Sequence, residues 1–405
     1  MRAPRTLFAA LMVLGLAGCQ SGKLAPKLDA ERAELEDLRR LVSMLDETVQ
    51  AQRRLGAVGH RLTIAGAGIC GDRTRPYYGL NLIGHPRDVA RLRHRDIYRQ
   101  AFGLGDGFTI VDLMADGPAA DAGLRAGDVV AAIAGEAVAG PADAGRLSRL
   151  FGGVGGRLTI DIAREGATET VEIAPVSECA QDVRLAGGNA VAIDALAGLV
   201  LVTPGMVRFA ATDDELAVVV AYALARGLLD PAPRGAATMA VPERVTTAIG
   251  SAAGVKVRPI DIEIGDRQLG AAARAKADQL GLYLAARAGF DISRAARFWR
   301  RLSVAHPRAL HGDRTGDRPG LAKRLATIEQ TVREIAAKQR DDVPLLPARI
   351  DLPVAAMPTD DGLVGLPSSV RDHAIIAARQ SREPFQRFWG RARSVQWGAR
   401  PTSDE

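Results

Sequence analysis

The chain has 405 residues, 47% of them hydrophobic and only 4% aromatic, with a formal net charge of +6. That length leaves room for two or three domains, and that apolar share supports packed cores, which excludes a disordered chain. The basic excess is spread over both halves without a basic-aromatic cluster of the nucleic-acid-binding kind, so no nucleic-acid partner is expected.

Met1-Arg2-Ala3-Pro4-Arg5 and the apolar run from Leu7 to Ala17 read as a signal peptide, its hydrophobic stretch too short to span a membrane. Leu16-Ala17-Gly18-Cys19 resembles a bacterial lipobox, which implies lipidation of Cys19 and a mature chain starting there. Gln20 after the cysteine, rather than Asp, favours the outer membrane by the same resemblance. The expected address is therefore the periplasmic side of the cell envelope, with the membrane reached through the lipid anchor. Cys70 and Cys179 are then the remaining cysteines, one on each side of the next domain. In an oxidising compartment they either form a disulfide that staples the ends of that domain or stay as two buried thiols. Between Leu28 and about Arg54, Leu28, Leu35, Leu38, Leu41, Leu45 and Val49 recur at helical spacing with no Gly or Pro between them. The apolar stripe suits docking on the body of the chain or pairing with a partner helix; without a sustained heptad, docking is expected.

From Tyr77 to about Val176 the pattern changes to short strands and Gly-rich turns. Gly117-Pro118-Ala119-Ala120-Asp121-Ala122-Gly123-Leu124-Arg125-Ala126-Gly127-Asp128-Val129 predicts a short helix, two tight turns and a strand running to Ile133. Leu158 to Ala163 and Thr168 to Ile173 predict a closing hairpin. The 117–135 stretch resembles that of bacterial PDZ domains, which take up a peptide as an added strand at a sheet edge and hold its C-terminal carboxylate with a loop of backbone N–H groups. Tyr78-Gly79-Leu80-Asn81-Leu82 is the candidate for that loop and edge strand, with Phe102-Gly103-Leu104-Gly105 as a rival. His85 and His94, in the insertion between them, fit no metal spacing and are expected at the surface.

Asn189 to Asp194 and Leu199 to Gly205 read as two strands turning near Gly198. They lead to a helix opened by Thr212 and Glu215 as a capping box, with Asp213 and Asp214 at the positive end of its dipole. A loop or lid-like insertion from Pro231 to Pro259 follows, then helices from about Gln268 to Ala288, Ala295 to Leu302 and Leu321 to Arg340. Beyond Asp341 the chain is rich in Pro and polar residues, with Phe385, Phe388, Trp389 and Trp397 among arginines. That tail is expected to be partly disordered, or to touch a membrane surface or the body.

Asp214-Glu215-Leu216-Ala217, Val219 and Ala221 resemble the core helix of the HtpX-like zinc metallopeptidase family, as do Ala286-Arg287-Ala288-Gly289-Phe290-Asp291, Phe298-Trp299 and Ala305-His306-Pro307 at later positions. The resemblance implies a zincin-like, mainly helical domain with a small antiparallel hairpin. It also places the family's H-E-x-x-H on Tyr222, Ala223 and Arg226, and its third ligand, a Glu, on Arg274. Two imidazoles at i and i+4 hold zinc while the Glu activates its water. Tyr222 is a poor ligand, Ala223 moves no proton, and cations at 226 and 274 oppose a dication: two unit charges at about 4 Å repel by ~4 kcal/mol even at an effective dielectric near 20. No metal and no cofactor are expected; zinc belongs only to the alternative reading. Asp278, in the family a residue that orients a zinc-binding His, and His306 are remnants of the surrounding shell, and Asp278 is expected to pair with Arg226 or Arg274. A later family arginine falls on Arg318 or Arg324.

The chain is thus expected to be an α+β multidomain protein: signal peptide 1–19, amphipathic helix 20–58, PDZ domain 59–178, metallopeptidase-like domain 179–340 and tail 341–405. The function these resemblances imply is an inactive metallopeptidase homologue that binds extended peptides, protein C-termini or unfolded envelope proteins as adaptor, regulator or assembly factor. The alternative is an active zinc endopeptidase in envelope protein quality control.

Overall fold

The computed structural model describes residues 30–71, 73–140, 143, 147, 150–151, 156–196, 198–229, 243–244, 271–306 and 319–347. Cys19, Arg318, most of the 231–259 insertion and the aromatic tail lie outside them. The chain divides into two compact units, residues 1–45 and 46–405. In the first, the described residues open α1 (Ala30–Cys70), and their side chains are mostly exposed.

In the second unit α1 enters a core. Val49, Leu55, Val58, Leu62 and Ile69 are buried at helical spacing. The helix does not end near Arg54 as expected but continues through Gly56, Gly59 and Gly66 to Cys70. These glycines serve close approach rather than termination. A Cβ at Gly59 would stand 3.0 Å from Val183 Cβ, and one at Gly66 2.9 Å from Cys179 Sγ.

β1 (Thr74–Tyr77) and β8 (Val176–Cys179) form an antiparallel pair, and Cys70 and Cys179 are joined in a disulfide across a Cα separation of 5.6 Å. Between these strands lies a β-rich body. Its sheet runs in the order β12 (Glu243–Arg244), β2 (Leu80–Gly84), β3 (Phe108–Leu113), β4 (Val129–Ile133), β6 (Leu158–Arg164) and β7 (Ala167–Ile173), with β5 (Glu136–Ala137) paired to β4. Leu158, Ile160 and Ile162 alternate into the core with Phe108, Ile110, Val130 and Ile133. The β6–β7 hairpin turns on Glu165 and Gly166, both at positive φ, which is the two-residue geometry that suits twisted strands. The short helix α3 (Pro118–Asp121) precedes β4 as the motif predicts. Asp128, at the turn into β4, is buried and receives both arms of the Arg164 guanidinium at 2.8 and 2.7 Å.

The insertion departs from expectation at His85. It is 3% exposed, caps the short 3-10 turn Pro86–Asp88 by accepting from the Arg87 N–H, and meets the Phe108 ring edge-on. His94 sits half-buried before α2 (Arg95–Ala101) in the left-handed region. Phe102 to Leu104, the rival loop, closes α2: their N–H groups bond back to Tyr98, Gln100 and Arg99 carbonyls.

The remaining half is mainly helical. β9 (Asp182–Leu185), unforeseen in the sequence, pairs in parallel with β11 (Leu199–Val202), which also forms the expected antiparallel hairpin with β10 (Ile193–Leu196). The first hairpin strand begins later than predicted, at Ile193; the Asn189 and Ala190 carbonyls before it lie against Gly205, where no Cβ would fit. Thr203 caps α4 (Pro204–Phe209). α5 (Asp213–Leu229) is buried along nearly its whole length and crosses α6 (Ala271–Arg287), with α7 (Ala295–Ala305) and α8 (Pro319–Arg340) completing the layer. Glu215 accepts from the Ala211 N–H and takes a bidentate pair from Arg301 on α7. Burial raises the Glu215 carboxyl, but these donors outweigh it and hold it below its ordinary value. No helix among the described residues is long and apolar enough to cross a membrane.

Candidate functional site

Two places contain the residues singled out in the sequence. The first is a crevice of about 50 Å³ at the start of β2, between the face of α1 carrying Gly56 and His60, the 75–81 stretch, Phe151 and β8–β9. Gly79 makes its turn at φ +85°, and a Cβ there would meet the Ala119 N–H at 2.8 Å, so both conformation and space demand glycine. Met114 N–H bonds to the Gly79 carbonyl, and the Tyr78 hydroxyl donates to the Gly156 carbonyl at 2.9 Å. Tyr78, Leu80 and Phe151 form the apolar lining. The five predicted peptide-binding residues, Tyr78 to Leu82, are all buried.

Asn81 is held within the fold by both ends of its amide, which accepts from the Tyr77 hydroxyl at 2.6 Å and donates to Asp112 at 3.1 Å. Burial keeps the Tyr77 hydroxyl well above its ordinary pKa, hence protonated and able to donate, and its ring stacks on His60 at 4.1 Å.

The polar floor of the crevice is a charge network that the sequence reading missed. Arg75 Nε donates to Glu178 at 2.9 Å and its Nη2 pairs with Asp182 at 2.7 Å; Arg184 takes the other Asp182 oxygen at 2.7 Å. Glu178, 1% exposed, also accepts from the Thr63 hydroxyl at 2.8 Å and faces His60 Nδ1 at 3.2 Å. Burial alone would raise the Glu178 carboxyl, but His60, Arg75 and Thr63 more than offset it and the pKa falls below its ordinary value. Arg75 and Arg184 both line the crevice, each already matched by a carboxylate. With Glu178 and Asp182 beside Arg75 and Arg184, the crevice floor is charge-matched rather than bare of either sign. Arg75, beside the Tyr77-Tyr78-Gly79 run, and Glu178, beside Cys179, were the only local hints.

The second place is the centre of the helical half. Tyr222, on α5, is 1% exposed and packs edge-on against Trp299 at 5.3 Å. The Arg324 guanidinium, from α8, lies over both rings, 4.7 Å from Tyr222 and 4.1 Å from Trp299. It also forms a bidentate pair with Asp278 at 2.8 and 2.9 Å. Arg226 and Arg274 were the expected partners of Asp278; this bidentate pair comes from Arg324. Arg226 lies 3.8 Å from Asp194 on β10, whose carboxyl is raised by burial and drawn back by the Ala195 N–H and Arg226. Arg274 stands partly buried one turn before Asp278. His306 ends α7 and meets Phe209 edge-on at 5.3 Å. Among the described residues there is no cluster of three His, Cys, Asp or Glu side chains able to hold a metal. Tyr222, Ala223, Arg226 and Arg274 carry no imidazole, thiolate or carboxylate that could ligate zinc, and the Arg324 guanidinium lies against the Tyr222 ring.

Residues 88–174 match the PDZ domain family. That span runs from the insertion through β7, and it starts after β2, leaving the Tyr78 to Leu82 stretch outside the match. No curated protein matches the chain. The PDZ domain supports a role in binding peptides or proteins, since such domains recognise extended peptides and protein C-termini.

Proposed function

We propose that this chain is a lipid-anchored protein of the cell envelope, reaching the outer membrane through Cys19, that uses its PDZ domain to hold extended peptides or protein C-termini. In this reading the helical half is a relative of HtpX-like metallopeptidases that no longer hydrolyses its clients, and the protein serves as adaptor, regulator or assembly factor. The PDZ match over residues 88–174, beside a crevice whose apolar wall includes Tyr78, Leu80 and Phe151, is the observation that carries the binding role. The residues at the positions where the resemblance puts the zinc ligands and the base, Tyr222, Ala223, Arg226 and Arg274, support the loss of hydrolysis, because none of them supplies an imidazole or a carboxylate.

The test is a titration of the full-length protein with one peptide ending in Leu, made with a free C-terminal carboxylate and as the amide, beside a casein digestion with added zinc. Binding of the free acid in preference to the amide, without cleavage, is the expected result. Equal binding of both forms removes the carboxylate pocket from the reading. Zinc-dependent cleavage would return the chain to the active endopeptidases.

A further inference from the structure

Strand β2 has neighbours on both sides. On one side lies β3, as in any sheet of this kind; on the other, where a peptide would add as an extra strand, lies β12 from the chain's own 231–259 insertion. The register is parallel, Glu243 opposite Leu82 and Arg244 opposite Ile83, and Leu82 and Ile83 are 1% and 2% exposed. At the start of β2 a second element is close: a Cβ at Gly56 of α1 would stand 3.5 Å from the Asn81 amide. The crevice at Gly79 stays open while the backbone edge beyond it is covered.

We infer that β12 is an intramolecular occupant of the peptide-addition edge, which an arriving peptide must displace before it can pair with β2. The inference rests on the proposal that the PDZ domain binds peptides along β2. A two-residue strand forms few ladder bonds and is weak in isolation, but its tether gives it a high effective concentration. A longer extended peptide, anchored by its carboxylate beside Gly79, makes more ladder bonds and can replace it. The arrangement therefore selects against short or weakly extended segments and releases the edge to ligands that can pair over several residues.

Successive residues of a strand direct their N–H groups to opposite sides, so of Glu243→Pro and Arg244→Pro, made separately, one removes a ladder donor and the other serves as its control. Joint replacement of both residues by Gly weakens the strand without imposing a proline ring. The readouts on the full-length protein are amide exchange of β2 and the affinity of a ten-residue peptide ending in Leu with a free carboxylate. We expect one proline variant and the Gly pair to speed β2 exchange and to tighten peptide binding roughly fivefold, the worth of about one ladder bond. Unchanged exchange, or faster exchange with unchanged affinity, overturns the inference. If no variant and no parent binds the peptide, the binding proposal itself falls; exchange alone then decides whether the strand covers the edge, acceleration supporting it and no change overturning it.

Discussion

Glu178 shows how much a single buried carboxylate can hold. It joins α1, through His60 and Thr63, to Arg75 on β1, and Arg75 extends the link to Asp182 on β9. Removing one partner of a buried pair leaves the other charge uncompensated, and Glu178→Ala is expected to cost about 3 to 5 kcal/mol in chemical denaturation. The sign of its pH dependence follows from the lowered folded pKa. Its stabilisation is complete above the unfolded value of about 4.3 and is lost as the pH falls through the folded value. Glu178→Gln should therefore flatten the acid limb of the stability profile below about pH 4.3, read by urea midpoints. At the centre of the helical half, Asp278→Ala and Arg324→Ala should each destabilise by about 3 kcal/mol or more. The Asp278→Leu, Arg324→Met pair should recover most of that loss, because replacing both charges by apolar groups removes the desolvation penalty as well as the attraction. A double replacement as unstable as either single one would show that the Arg324 contacts with Tyr222 and Trp299 matter more than the ion pair. None of this was legible locally: Arg324 reaches Asp278 from 46 residues away, and only their separate positions within family motifs suggested either one.

The elements themselves were legible where local rules decide them. The Gly117 to Asp128 turns, the β6–β7 hairpin and the capped start of α5 follow from positive-φ glycines, alternating apolar residues and a Thr-x-x-Glu cap, all of which act within a few residues. The extension of α1 beyond Gly56, the parallel strand β9 and the two-residue β12 were not, because each is selected by a partner distant in sequence. Gly281 makes the point at the α5–α6 crossing. A Cβ there would stand 2.8 and 2.9 Å from the backbone N and Cα of Tyr222, atoms that cannot swing aside. Gly281→Ala gains about 1 kcal/mol of helix propensity but overpacks at a cost of ~1 to 3 kcal/mol, so the net effect is loss of stability. Gly59→Ala meets the Val183 Cβ at 3.0 Å, a looser approach than the backbone atoms at Gly281. Thermal melts should therefore rank Gly281→Ala below Gly59→Ala, and the reverse order would mean that the helices separate more easily than their spacing implies.

Over the whole molecule, the disulfide closes a loop with a sequence separation of 109 residues between Cys70 and Cys179. Constraining an unfolded loop of that length is worth about 4 to 5 kcal/mol in the chain-entropy model. Cys70→Ser with Cys179→Ser should lower the denaturant midpoint by a corresponding amount, and a reductant should do the same to the parent but not to the variant. The sequence placed these two cysteines at the ends of one domain; what it left open was whether they meet, since that depends on β1 and β8 lying side by side.

That pairing has a consequence for how such a chain can be rebuilt. The path leaves the β-rich body 5.6 Å from where it came in, so the interruption closes on itself like a bead strung on a loop of thread. Cutting out the bead and tying Cys70 to Cys179 through a few glycines would join ends that already lie side by side, and a different recognition module with adjacent termini could be spliced into the same gap.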